Sequence, residues 1–255
     1  MQAKPYILRE VSFRAVQEHS PDLAVLPWGA TEAHNLHLPY GTDTFEAEHI
    51  AAAAAGIAWT KGAKVMVLPG VPYGVNTGQM DIPFVINMNP GTQTALLADI
   101  VQSLSGQGIK KMVIVNGHGG NDFKPAIREI SLRFRSFFIA TLNWWEIIRY
   151  DGYFDEAGDH GGEMETSVMM YIRPDLILPL DQAGEGRARV FRFTAMKEGW
   201  AWAQREWSKV TQDTGIGNPK AASADKGEKY LQSVIDNVAR FFIELAATPL
   251  QEIYE

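Results

Sequence analysis

Apolar and polar positions alternate along this chain in two rhythms. Short apolar runs at "LAVLPWGA" (23–30), "KVMVLPGVPYG" (64–74), "KKMVIVNGHGGND" (110–122) and "SFFIATLNWW" (136–145) read as strands buried on both faces, the first three running into loops. Between them lie segments of helical composition or period. "DTFEAEHIAAAAAGIA" (43–58) is alanine-rich, and alanine is the best helix former; "TQTALLADIVQSLSGQG" (92–108) is amphipathic and ends at Gly; "KPAIREISLRF" (124–134) follows the third strand. "GEMETSVMMYI" (162–172), halted by Pro174, and the long "KGEKYLQSVIDNVARFFIELA" (226–246) complete the helices. Strand, loop, helix, strand is the rhythm of an α/β fold whose parallel sheet is covered on both faces. Residues 180–224 show no assignable period, and the chain has neither internal repeats nor low-complexity segments. Its 255 residues fit one large α/β domain, 1–255.

Composition narrows the function classes. Hydrophobic residues make up 46% and charged residues 21%, enough apolar material for a sizeable core. The net charge is −7 and no basic block interrupts the sequence, which argues against a nucleic-acid partner. The first 25 residues carry charges throughout, without the apolar core of a signal peptide, and no run reaches the ~18 apolar residues of a membrane span. A cytoplasmic protein with no membrane partner is the expectation. There are no cysteines, so any metal must rest on His, Asp and Glu, the ligand set of Zn, Mn or Fe.

In open parallel sheets ligands bind beyond the carboxyl ends of the strands. Three segments there or in the later loops concentrate the chemistry and hold four of the six histidines. The first, "GATEAHNLHLPYGTD" (29–43), supplies Glu32, His34, His37 and Asp43. Glu32 and His34 are two apart, so in extended backbone they share a face, as two metal ligands would. Asp43 has a rival role as the N-cap of the alanine-rich helix, with Glu46 completing a capping box. The second, "NGHGGN" (116–121), wraps small residues around His118 and lets the backbone approach something closely. It opens a helix whose free N–H groups favour negative charge, yet it lacks the Lys and Ser/Thr of a phosphate loop. The third, "DHGGEMETS" (159–167), supplies Asp159, His160, Glu163 and Glu165. Glu163 and Glu165 stand roughly 200° apart on a helix, so only one can face a site. His19 and His49 fall in ordinary helical contexts.

Taken together, these segments resemble the creatininase (creatinine amidohydrolase) family, whose members carry a Glu-x-His-x-x-His-Leu-Pro-x-Gly-Thr-Asp stretch, an Asn-Gly-His-Gly-Gly-Asn turn and a His-Ala-Gly-Glu-x-Glu-Thr-Ser stretch. Here they read "EAHNLHLPYGTD" (32–43), "NGHGGN" (116–121) and "HGGEMETS" (160–167), with a weaker fourth match at "TGIGNPKAASADKGEKYL" (214–231). The matches run in order over nearly the whole chain. The resemblance implies a three-layer αβα fold with a mainly parallel sheet, a homo-oligomer that is often a hexamer, and a hydrolytic site with two divalent metal ions per chain. It assigns Glu32 and His118 to one metal and His34 to the other, with Asp43 bridging. Creatininase itself has His-Tyr-Glu-Asn in the turn, and that Glu is a ligand; here the turn is His118-Gly119-Gly120-Asn121. Glycine cannot ligate, so a replacement must come from elsewhere, with Glu163 as the candidate. The missing Tyr and Glu argue against creatinine as substrate. Met80 falls about where a pocket His often stands.

The activity implied is hydrolysis of a small-molecule amide, cyclic or formyl rather than an ordinary peptide bond, by a metal-activated water. His160 would pass a proton to the leaving nitrogen, Glu163 would ligate the second metal or act as acid and base, and His37 and Glu165 would orient ligands. Trp144 and Trp145 could wall the pocket or simply fill the core. Two other readings compete: a non-catalytic metal- or ligand-binding protein on the same fold, and a phosphoesterase, which would want Lys or Arg in these motifs and has none.

Overall fold

A computed structural model describes residues 4–156 and 158–255. Four parallel strands, β1 (Leu23–Trp28), β2 (Val65–Val67), β3 (Lys111–Asn116) and β4 (Phe138–Asn143), form one sheet in the order β2-β1-β3-β4. Val25 pairs with Val67 on one side and Val113 on the other, and Val113 pairs with Ala140. The helices are α1 (Phe13–Glu18), α2 (Thr42–Thr60), α3 (Pro90–Gly106), α4 (Phe123–Arg133), α5 (Glu163–Ile172), the short α6 (Thr194–Lys197) and α7 (Trp207–Val210), and α8 (Ala224–Ala247).

Strand alternation sorts the core into two layers. Leu23, Val25, Val113 and Val115 turn to α2 and α8; Ala24, Leu26, Trp28, Met112 and Ile114 turn to α3 and α4. With helices on both sides the strands must be apolar throughout, and β1 and β3 are buried at every position. The three-layer αβα architecture follows directly.

Alanine has a specific use in α2. The helix lies between the sheet and α8, and Ala47, Ala51, Ala54, Ala55 and Ala58 let it approach both. Its apolar surface is therefore not confined to one stripe. In α8 the stripe is sharp: Tyr230, Leu231, Val234, Ile235, Val238, Phe242 and Leu245 are buried at helical spacing. Each fully buried large side chain there contributes about 1.5–3 kcal/mol. Ser223 caps the start, its Oγ accepting from Lys226 N at 3.3 Å. Lys111 of β3 closes the far end, its Nζ donating to Leu245 O, Ala246 O and Thr248 O at 2.8, 3.1 and 2.6 Å.

Helix α8 also presses on α5. A Cβ on Gly227 would stand 2.0 Å from Ser167 O, so glycine alone permits the crossing. Gly227→Ala is expected to destabilise the fold by about 1–3 kcal/mol, the range of an overpacked core, read as a lower melting temperature. Trp144 and Trp145 pack edge-on to one another, and Trp144 meets Tyr230 beneath α8. Trp144 is fully buried and Trp145 packs against the same cluster, so this pair is core rather than pocket wall. Among the described residues no helix is long and apolar enough to cross a membrane.

Candidate metal centre

At the carboxyl end of β1 the chain turns into the loop that carries Glu32, His34 and His37, then enters α2. The expected N-cap role of Asp43 is not what the structure has. Gly41 is the N-cap and Asp43 lies inside the first turn, with no capping hydrogen bond from its side chain. Its carboxylate instead spans two imidazoles, Oδ1 at 2.7 Å from His34 Nε2 and Oδ2 at 3.0 Å from His118 Nδ1. Glu32 Oε1 is 2.9 Å from His118 Nδ1, 3.8 Å from His34 Nε2 and 3.7 Å from His160 Nδ1. All these side chains are buried.

His118 is placed by the turn after β3. Asn116 Oδ1 accepts from His118 N at 3.1 Å and Asn121 Nδ2 donates to the same oxygen at 3.0 Å. The close approach expected of the glycines is real: a Cβ on Gly117 would meet Asp43 O at 2.3 Å, and one on Gly120 would meet Val75 O at 2.3 Å. The helix N-terminus is not part of the centre, however. Asp122 caps α4, accepting from Lys124 N at 3.1 Å.

The two glutamates at the start of α5 diverge as their helical spacing requires. Glu163, expected at the second metal, points away from the cluster. Its Oε2 accepts from Asp155 N and Glu156 N at 2.9 and 2.8 Å, and its Oε1 accepts from Lys226 Nζ at 2.5 Å. Both oxygens are thus engaged within the protein, and Glu163 belongs to none of the groups of ligand atoms found among the described residues. Glu165, expected only to orient ligands, is the one that turns inward. It reaches back to accept from Gly161 N, in the manner of a capping box, and groups with His34 and Asp43.

Three overlapping triads result: Glu32, Asp43 and His118; His34, Asp43 and Glu165; and Glu32, His34 and His160. In each, one ligand atom per residue lies within 4.8 Å of the others. Asp43 is shared by the first two.

The imidazoles show what these triads suit. Each uses one nitrogen to donate to a backbone carbonyl: His34 Nδ1 to Glu32 O at 3.2 Å, His118 Nε2 to Val75 O at 3.1 Å, His160 Nε2 to Ala33 O at 2.8 Å. Those hydrogen bonds select the tautomers. The other nitrogen of each, bearing its lone pair, then faces carboxylate oxygens. Lone pairs pointing at lone pairs need a cation between them, and a backbone acceptor behind each imidazole is the usual support of a metal ligand. His34 Nε2 and Asp43 Oδ2 are buried without an aligned hydrogen-bond partner despite their short approach to neighbours. The donor set of imidazoles and carboxylates fits a divalent metal of the Zn, Mn or Fe kind.

Protons take that place in the bare protein. Burial would discharge His34, but the Asp43 carboxylate overrides it and pushes the imidazole up to about 10; His118 is raised well above its ordinary value by Glu32 and Asp43. Burial likewise opposes ionisation of Asp43, and the charged His34 outweighs it, holding the carboxyl well below the usual range. Glu165 is raised by its burial. Behind it, Glu46 is raised well above the ordinary value by burial and by the Glu165 and Asp43 charges, and neither of its oxygens has a partner.

Two residues gave no sequence signal. Gln79 donates from Nε2 to Glu32 Oε2, inside the loop where Met80 faces solvent. Trp207 sets its indole edge-on to His160 at 5.2 Å. His37 stays outside the triads and links the first loop to α5 through Thr166 Oγ1 at 2.9 Å. Burial, aided by the charge on His34, holds it neutral, its value lowered to about 4.

Residues 9–242 match the family model for creatinine amidohydrolase. A mycofactocin precursor peptide peptidase of Mycolicibacterium smegmatis is 29% identical over 223 residues, covering 85% of this chain and 83% of that protein. The creatinine amidohydrolase of Pseudomonas putida is 25% identical over 236 residues, covering 84% of this chain and 86% of the other. A crystal structure of a candidate creatinine amidohydrolase from Bacteroides fragilis superposes with a TM-score of 0.94 at 44% identity over 100% of both chains. A manganese form of creatininase has the same fold, with a TM-score of 0.77 at 23% identity, covering 96% of this chain and 100% of the other.

Proposed function

The chain belongs to the creatininase family, and from that membership and the geometry of its buried cluster we propose that it is a metal-dependent amidohydrolase acting on a small-molecule amide, cyclic or formyl, through two divalent ions. The observation that carries the reading is the set of three imidazoles, each tied by one nitrogen to a backbone carbonyl and turned by the other toward buried carboxylates.

In this reading Glu32, Asp43 and His118 hold one ion, and His34, Asp43 and Glu165 hold the other. Glu165 takes over the ligand position that glycine leaves empty in the turn after β3. Ions bound there supply Lewis acidity that acidifies water and polarises an amide carbonyl. The protein's own groups do the rest. His160 Nδ1 stands farther from Glu32 than His118 Nδ1 does, 3.7 against 2.9 Å, which suits a proton carrier rather than a ligand. Its Nε2 is occupied by Ala33 O, so Nδ1 is the atom that takes a proton and hands it to the leaving nitrogen. Trp207 packs edge-on against the ring and holds its orientation. Gln79 and the Asn116–Asn121 pair hold Glu32 and His118 in place. Gly119 and Gly120 in the turn argue against creatinine as the substrate, and the relatives themselves differ in the amide they are named for.

A cytoplasmic homo-oligomer, hexameric by family likeness, belongs to this proposal. Exposed Phe84, Trp200 and Trp202 support an assembly, since large apolar side chains in solvent mark contact surfaces. The test of function is metal content by mass spectrometry beside a panel of amides and phosphoesters. About two ions per chain with turnover of an amide is the expected result. Turnover of phosphoesters alone would replace the reading with the phosphoesterase, and metal bound with no turnover of either class would favour a binding protein.

A further inference from the structure

A cavity of about 700 Å3 is lined by residues of the 188–210 segment and by Ile216. Two contacts join it to the cluster. Ile216 N donates to His160 O at 2.7 Å and His160 N donates to Ile216 O at 3.0 Å, so the cavity wall and the backbone of His160 form one ladder. Arg205 lies 4.6 Å over the ring of Trp207, the same indole that meets His160. The cavity therefore adjoins the backbone that carries His160, with the Trp207 indole between Arg205 and the imidazole.

The lining combines two chemistries. Val190, Phe191, Phe193, Met196 and Val210 make it largely apolar. Five cations share the wall with a single carboxylate, Glu206. Two of the five are neutralised, Arg205 by Asp159 at 2.6 Å and Lys209 by Glu206. Arg189, Arg192 and Lys197 have no carboxylate partner among the described residues. Three unpaired cations gathered round one apolar cavity are notable in a chain of net charge −7. Solubility alone interleaves charges of both signs, whereas a concave site of one sign concentrates ions of the other.

We propose that this cavity selects anionic amides: it receives a carboxylate carried on an apolar body, held by Arg189, Arg192 and Lys197, while the amide of the same molecule reaches the metal centre. The assignment rests on the amidohydrolase reading and specifies its substrate class.

The probes are N-formyl-L-phenylalanine and its neutral primary amide, which differ only in the charge of one end. Binding to the metal-loaded protein is measured by calorimetry and hydrolysis by release of formate. The acid is expected to bind about tenfold more tightly than the amide, with the preference shrinking as salt rises. An Arg189→Gln, Arg192→Gln, Lys197→Gln variant is expected to bring the ratio to within about twofold. An Arg189→Lys, Arg192→Lys variant should keep the preference, which separates charge from folding. Equal binding of acid and amide by the native protein overturns the proposal, as does an unchanged ratio in the triple Gln variant. So does a cavity found covered by a second copy of the chain, seen as dissociation of the oligomer by the triple Gln variant with no acid preference beforehand. Acid preference with no hydrolysis of any amide would remove the amidohydrolase reading and keep the anion cavity, and hydrolysis without preference would do the reverse.

Discussion

Asp43→Ala is expected to yield a folded protein that holds almost no metal and has lost at least about a thousandfold in amide turnover, since both ions of the proposed centre depend on one carboxylate. The two oxygens of Asp43 face different histidines, Oδ1 toward His34 and Oδ2 toward His118. Removing it takes one ligand at once from each of the two triads proposed to hold an ion. The fold should survive the change at some cost. Asp43 makes no capping hydrogen bond and alanine suits the first turn of a helix, but the substitution leaves the buried His34 and His118 without their shared carboxylate. A melting temperature several degrees below that of the metal-free native protein, together with metal content well below one ion per chain, is the expected pair of results. Two ions retained in the variant would sink the bridging assignment and return Asp43 to a structural role.

The second large effect separates two glutamates that stand two positions apart. Glu165→Gln is expected to retain about one ion per chain and lose at least about a hundredfold in turnover, with little change in melting temperature. Glu163→Gln is expected to retain both ions and to melt several degrees lower. Glu163 is buried against Lys226 Nζ and two backbone N–H groups, so its loss leaves a cation and the 155–156 backbone with a weaker partner. Metal analysis beside a thermal melt reads both variants. A Glu163 variant that loses an ion while Glu165→Gln keeps two would reverse the assignment.

How much of this was legible in the sequence depended on whether local signals carried it. The strands and the long helices show themselves because burial on both faces, or along one stripe, is written into consecutive residues. Helix α8 is the clearest case, and α2, which lacks a stripe, was still readable from alanine content. Glu32, His34 and His118 were legible as a set because spacing and small neighbours pointed to them. Asp43 was readable two ways, as cap or ligand, and the position of Gly41 removes the cap. The choice between Glu163 and Glu165 was not local at all. Helical geometry says that one faces in, but Lys226, which claims Glu163, is 63 residues away. The 180–224 segment resisted assignment because its elements are a single turn long. It is held by polar contacts such as Asn35 Oδ1 with Gly184 N at 2.7 Å and Asp213 Oδ2 with Gly186 N at 2.9 Å, and such pairs leave no period.

Lys226 has a consequence for how the molecule comes into being. The proposed ligands lie between Glu32 and Glu165, so a growing chain carries all of them before α8 is made. Yet α5, which brings Glu165, rests on α8, and a lysine in the first turn of α8 holds both Glu163 of α5 and Asp155 ahead of His160. Metal capture is thereby expected to follow the docking of α8, and an ion offered to a chain in which that helix has not docked meets loose ligands instead of a formed centre.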